Sequence, residues 1–292
     1  MAPRLGRKKR KAPPLDEFGG TADGGLAIID ESGHLVHMTP PRIAGSLRYF
    51  LARVQLHDAQ GMPERLALTS ALVGEGVTYI ARSLAAAIAY DTDASVVVVD
   101  CTFRRPGALE GKGRRGRSAK TTPVTPARPE PADGETDADA EGELLPPPLA
   151  NGGLSDSSQH PTLADAIEND APLDDIIINT SNPRLSMIQA GAVPVARRPA
   201  LAQGRPLASL LDQLDERFDH VLLDLPPVLA SSDAMNLSQL ADAYVLVVRQ
   251  GSTSEGQVEA ALDELQGGET LGVILNRFDS NIPRRLRRLV GT

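Results

Sequence analysis

The sequence predicts an α/β fold, a doubly wound, mostly parallel sheet covered by helices. Three observations predict it. Short aliphatic runs such as SVVVVD (95–100), HVLLDLPP (220–227) and YVLVVRQ (244–250) are apolar at consecutive positions, as strands buried on both faces are. Between such runs lie segments of helical periodicity, so strands and helices alternate along the chain. Aromatic residues make up only 3% of the composition and Trp is absent, while apolar residues reach 41%. The core is therefore aliphatic, which suits a central parallel sheet.

Taken in order, residues 1–40 are rich in Gly, Pro and charge and read as a mostly disordered basic tail. Within them LAIID and HLVHM can form a short hairpin around Glu31-Ser32-Gly33. Residues 41–60 place Leu47, Phe50, Leu51 and Val54 at helical spacing. RLALTSA (65–71) reads as a strand, LVGEGVT as a Gly loop, and Thr78 to Tyr90 as a helix with Ile80, Leu84, Ala87 and Ile88 on one face. SVVVVD completes a βαβ unit. From about 110 to 158 basic residues, then Pro and Thr, then acids, then LPPPLANGG form a low-complexity insert with little to bury. Order resumes with a helix in PTLADAIEN, a strand at 184–191, a helix over 200–217, strands at 220–227 and 244–250, a helix at 254–266 and a last strand at 271–279. That gives about six strands in one domain over 41–292, interrupted by the insert.

The net charge is −8, but its distribution carries more information than its sum. RLGRKKRK (4–11) and PRRLRRLVGT at the end are basic, and an acidic run lies between Glu130 and Glu143. Basic ends can touch anionic lipid, while nucleic acid is not an expected partner. One cysteine, Cys101, allows no disulfide within the chain, which fits a reducing compartment. No run approaches the roughly 18–20 apolar residues of a membrane span. The expected location is the cytoplasm, peripheral at the inner face of the membrane where the basic ends or a partner hold it. The five histidines show no metal-ligand spacing. Ser231 and Ser232 read as a helix cap rather than a nucleophile.

The chemistry centres on Ala71-Leu72-Val73-Gly74-Glu75-Gly76-Val77-Thr78. The phosphate-loop pattern is G-x-x-x-x-G-K-[ST]. Gly74 and Gly76 let backbone N–H groups curl round a phosphate, and the following helix adds its positive end. Glu75 sits within the same loop. Thr78 stands where a hydroxyl would ligate Mg²⁺, and Val77 stands where the pattern has lysine. Asp100 and Asp224 each end a strand beside this loop, where carboxylates hold a metal or its water in such sheets.

ALTSALVGEGVTYIARSLAAAIA, VVVVDCTFRRPG, FDHVLLDLPPVLASSDA and LGVILNRFD resemble successive motifs of the bacterial tyrosine kinases that control capsule and exopolysaccharide assembly, a MinD/ParA-like branch of the P-loop ATPases. LRYFL (47–51) resembles the start of the family's N-terminal helix, and LSMIQAG its strand before a Pro-rich turn. The resemblance covers about 40–110 and 160–280. It implies ATP and Mg²⁺ as cofactors. It implies phosphate and metal contacts from Gly74, Glu75, Gly76 and Thr78, metal or catalytic roles for Asp100 and Asp224, a base contact from Asn276, and a site role for Arg104 and its neighbour Arg105. It also implies a membrane-embedded chain-length or co-polymerase partner, an active kinase paralogue as a second partner, and self-association.

The sequence departs from the family at several places. The lysine is Val77. The second acid of the family's D-x-D motif is Thr102. No tyrosine cluster ends the chain, since the four tyrosines are Tyr49, Tyr79, Tyr90 and Tyr244. The family's E-x-x-R-x-x-R assembly motif is reduced to Arg42, Gly45 and Arg48. Removing one such electrostatic group costs about 10²–10³ in rate. The expectation is a regulatory pseudokinase with ATP and Mg²⁺ binding weakened or lost. The alternatives are an active kinase or ATPase whose basic residue is relocated, for instance to GKGRRGR (111–117), and a MinD/ParA-like positioning protein.

Overall fold

The computed structural model describes residues 15–57, 61–103, 160–265 and 268–277. Residues 15–39, part of the stretch expected to be mostly disordered, are folded. β1 (Leu26–Ile29) and β2 (Leu35–Thr39) form the antiparallel hairpin that the sequence suggested. The reason is burial: Leu26, Ile28 and Val36 are almost completely shielded from solvent, which Gly-rich composition alone does not reveal. The helix α1 (Pro41–His57) follows.

The main sheet begins with β3 (Arg65–Ser70), α2 (Val77–Asp91) and β4 (Val96–Asp100). After 104–159, where the insert lies outside the described residues, come α3 (Leu163–Asn169), α4 (Leu173–Ile176), β5 (Ile178–Asn179) and β6 (Leu185–Ile188). The helix expected over 200–217 is two helices, α5 (Arg198–Ala202) and α6 (Arg205–Asp215). Gly204 and Pro206 separate them, because proline cannot continue a helix from within. β7 (His220–Asp224), α7 (Ser232–Ser238), β8 (Ala243–Arg249), α8 (Glu255–Glu264) and β9 (Glu269–Asn276) complete the order.

The strands lie in the order β5-β6-β4-β7-β3-β8-β9. The six predicted strands pair in parallel; the addition is β5, a two-residue antiparallel edge strand too short to carry a periodic signal. On β3, Leu66 and Leu68 face the layer of α1, α2 and the hairpin, while Ala67 faces the layer of α3 and α5–α8. A strand buried on both sides results. The sheet is thus a rigid platform whose carboxyl ends gather the loops after β3, β4 and β7.

Candidate functional site

The loop after β3 bends through Gly74 (φ +88°) and Gly76 (φ +94°), left-handed conformations that glycine adopts without strain. Space beside Gly74 is open, whereas a Cβ on Gly76 would come within 2.3 Å of Asn276 Nδ2. The loop then enters α2, fifteen residues long, so its N–H groups and the helix's positive end point to one place.

Glu75 is 2% exposed and braces the loop from inside. Its carboxylate accepts from Leu72 N (2.7 Å), from Arg249 N (3.0 Å) and from the Thr253 hydroxyl. Asn276 reaches over from β9 and its Nδ2 donates to the Glu75 carbonyl at 2.7 Å. Ser70 Oγ donates to Leu72 O, and Val228 N and Leu229 N donate to Ser70 O and Ala71 O. The loop is therefore fastened to β8, β9 and the segment after β7. Val77 opens α2 and is 8% exposed, packed in the aliphatic layer between α2 and the sheet. Its side chain is core, not site.

Opposite the loop, β4 and β7 run in register so that Asp100 and Asp224 are paired neighbours. Asp224 is 1% exposed, and its Oδ1 has no hydrogen-bond partner among the described residues. Burial pushes its carboxyl up to about 7; the Asp100 charge pushes the same way, and the Thr78 hydroxyl and the Arg82 charge pull it back. A buried carboxylate beside another, with one bare oxygen, is a place where a cation would offset both charges. Asp100 is capped by Thr102, whose N–H and hydroxyl both donate to Oδ1 at 2.9 and 2.7 Å. The residue that stands for the family's second acid thus holds the first one.

Thr78, Asp100 and Asp224 fit a hard divalent cation. No group of three or more His, Cys, Asp or Glu side chains converges among the described residues. An ion here would complete its oxygen shell from phosphate and water, the usual habit of Mg²⁺. The phosphate side fits less completely, since the loop offers backbone donors and helix dipole but no lysine.

Of the residues singled out from sequence, Gly74, Glu75, Gly76, Thr78, Asp100, Asp224 and Asn276 are brought together at this end of the sheet. Arg104, Arg105, GKGRRGR and both basic ends lie outside the described residues. Arg48 is spent internally: it pairs with Asp91 at 2.7 and 3.1 Å and donates to Gly24 O. Cys101 is buried, and burial pushes its thiol up, as for a packing residue. Ser231 precedes α7 and donates its hydroxyl to Asp233 rather than capping a backbone N–H. Sequence reasoning missed the bracing role of Glu75 and the presence of Arg82 and Arg249 around the loop. For Arg82 the signal was its position four residues after Thr78.

No family model matches the chain. It is 30% identical over 122 residues to the tyrosine-protein kinase CpsD of Streptococcus agalactiae, a match covering 41% of this chain and 53% of the relative. The chain thus spans about half the length of that relative. The VpsO kinase domain superposes with a TM-score of 0.57 at 22% identity, over 81% of this chain and 96% of that one. A cobyrinic acid a,c-diamide synthase from Mycobacterium smegmatis, solved with ADP and magnesium, superposes with a TM-score of 0.51 at 16% identity, over 79% and 81% of the two chains. Among the described residues no helix is long and apolar enough to cross a membrane. The chain is similar to the bacterial tyrosine-protein kinases over those 122 residues, and it shares the fold of the solved VpsO kinase domain.

Proposed function

We propose that this chain is a catalytically impaired relative of the capsule and exopolysaccharide tyrosine kinases that still takes up a magnesium nucleotide and regulates polysaccharide synthesis or export. One observation carries the reading. The cation half of the site keeps Thr78 against a buried, half-satisfied Asp224 beside Asp100, though Thr102 stands for its second acid, while the lysine position is a packed valine. A site that had lost all use for a cation would gain from replacing Asp224, because an unpaired buried carboxylate oxygen costs about 1–3 kcal/mol. Binding energy from loop amides and Mg²⁺ survives the loss of lysine better than rate does, because lysine acts on charge that grows in the transition state.

The partner in this reading is a membrane-embedded chain-length or co-polymerase protein, with an active kinase paralogue as a second. The basic ends add peripheral contact with anionic lipid. The proposed domain is 41–292, interrupted at about 110–158, with the hairpin packed against α2. Purified chain should bind ATP only with Mg²⁺, and should transfer no phosphate from labelled ATP to itself or to a tyrosine copolymer. Transfer at rates typical of protein kinases, about 1–100 s⁻¹, would overturn the reading.

A further inference from the structure

The described residues include no lysine. The five in the chain are Lys8, Lys9, Lys11, Lys112 and Lys120, all outside the described residues. A permanent positive charge brought to the phosphate loop by the folded body is therefore an arginine's. Six arginines are half-buried: Arg48, Arg65, Arg82, Arg184, Arg198 and Arg249. Arg48, Arg65 and Arg184 pair with carboxylates, and Arg198 donates to the carbonyls of Phe103 and Val193. Arg82 and Arg249 have no ion pair and no side-chain hydrogen bond among the described residues; Arg249 touches the loop through Glu75, and Arg82 lies on the helix that follows it. Half-burying a guanidinium without a partner is unfavourable, so the two positions call for a ligand.

They are not equivalent. Arg249 ends β8, and its backbone N–H serves the Glu75 carboxylate. Arg82 lies on α2 one turn beyond Thr78, on the same helix face. Helical side chains tend to lean towards the N-terminus, which is the direction of Thr78 for Arg82. Its charge is felt at Asp224 on one side and at His37 on the other. His37 itself is kept neutral there by burial and by Arg82, with Ser83 Oγ at 2.8 Å and the Tyr79 ring at 4.8 Å. It brings no second cation. Of the two arginines, Arg82 is the one carried by the helix that Val77 opens, one turn beyond Thr78.

We propose that Arg82 supplies the positive charge missing at position 77 and that its ligand is the phosphate chain of a nucleoside triphosphate. The inference rests on the nucleotide-binding reading above and names the residue that makes it workable without lysine. A fixed guanidinium one turn further along the helix neutralises ground-state phosphate charge. It is displaced from where lysine bridges the reacting phosphates, which agrees with binding outlasting catalysis.

The test is a titration of the full chain with a fluorescent ATP analogue and Mg²⁺. Arg82→Gln should bind about 10- to 100-fold more weakly than wild type, the range for one charge-assisted contact. Arg82→Lys should stay within a few-fold of wild type. Val77→Lys should raise affinity more in Arg82→Gln than in the wild type, because the two cations would serve the same phosphate charge; a purely structural role for Arg82 would give equal gains. Wild-type binding together with equal binding by Arg82→Gln would overturn the assignment alone. No binding by wild type would overturn the nucleotide reading and the assignment with it. If Arg82→Gln melts at a lower temperature, the two gains decide: a larger gain from Val77→Lys in Arg82→Gln than in the wild type supports the charge role, and equal gains overturn it.

Discussion

The two sides of the site have kept different things. On the carboxylate side the groups are polar, in register and incompletely satisfied: Thr78 meets Asp224, Asp224 Oδ1 is bare, and Asp100 is held by Thr102. On the loop side Val77 and Glu75 have turned inward to structure, while Val73 stays exposed. Val77 packs in the core and Glu75 spends its carboxylate on Leu72, Arg249 and Thr253. A loop can keep its shape for reasons of packing alone, because its amides are fastened from β8 and β9. A buried carboxylate beside a second, partly exposed one is not kept by packing, since each charge weakens the other. The difference teaches that retained backbone shape is weak evidence of ligand binding and retained electrostatic frustration is stronger evidence.

The largest effect should come from breaking the loop's brace. Glu75→Ala leaves buried N–H groups of Leu72 and Arg249 without partners, so it should destabilise the chain by about 2–4 kcal/mol and abolish nucleotide binding; urea titration and a binding assay check both. Val77→Lys sharpens the contrast from the same side. It removes a packed valine and brings a charge to a nearly closed position, so stability should fall by about 1–3 kcal/mol while ATP affinity rises. A loss of stability without a gain in affinity would mean that the loop no longer addresses phosphate.

Asp224→Asn probes the other side. The folded-state pKa of Asp224, about 7, lies above the unfolded value of 3.8. The folded chain therefore holds the extra proton, and the wild type loses stability as pH rises from about 4 through 7. Without Mg²⁺ at pH 8, Asp224→Asn should melt a few degrees higher than wild type, about 2–4 °C per kcal/mol for a chain of this size. With Mg²⁺ and nucleotide the order should invert, since the wild type alone gains a ligand.

The smallest effect lies away from the site. His37 is held at about 3, below its usual 6.5, by burial and by Arg82. Between those values the unfolded chain takes up a proton that the folded chain refuses, so stability present above pH 6.5 is lost as pH falls. Because Asp224 acts in the opposite direction over this window, the readout is the difference from His37→Gln: between pH 7 and 5.5 the wild type should lose about 1 kcal/mol relative to that variant in thermal melts.

Much of this was legible in the sequence. The six parallel strands announced themselves because strands buried on both faces must be aliphatic at consecutive positions, as Val96–Val99 are. Asp100 and Asp224 were legible because each follows such a run. The unread parts depend on tertiary contact. β5 is two residues long and exists only as the antiparallel partner of β6. The folding of 15–39 follows from burial against α2, which local composition masks. Glu75 looked like a loop residue open to ligand, and the groups that occupy it lie some 175 residues away. Arg82 carries no motif; only the empty position before Thr78 makes a cation one turn later meaningful.

The most direct test of the central claim is calorimetric titration of the full chain with ATP, with and without Mg²⁺, run beside a phosphotyrosine assay on the same preparation. The account predicts binding that requires Mg²⁺, is lost in Asp224→Ala, and is accompanied by no phosphotyrosine on the chain or on an added tyrosine copolymer. Phosphotyrosine formation at kinase rates, or failure of ATP to bind in the presence of Mg²⁺, would contradict it.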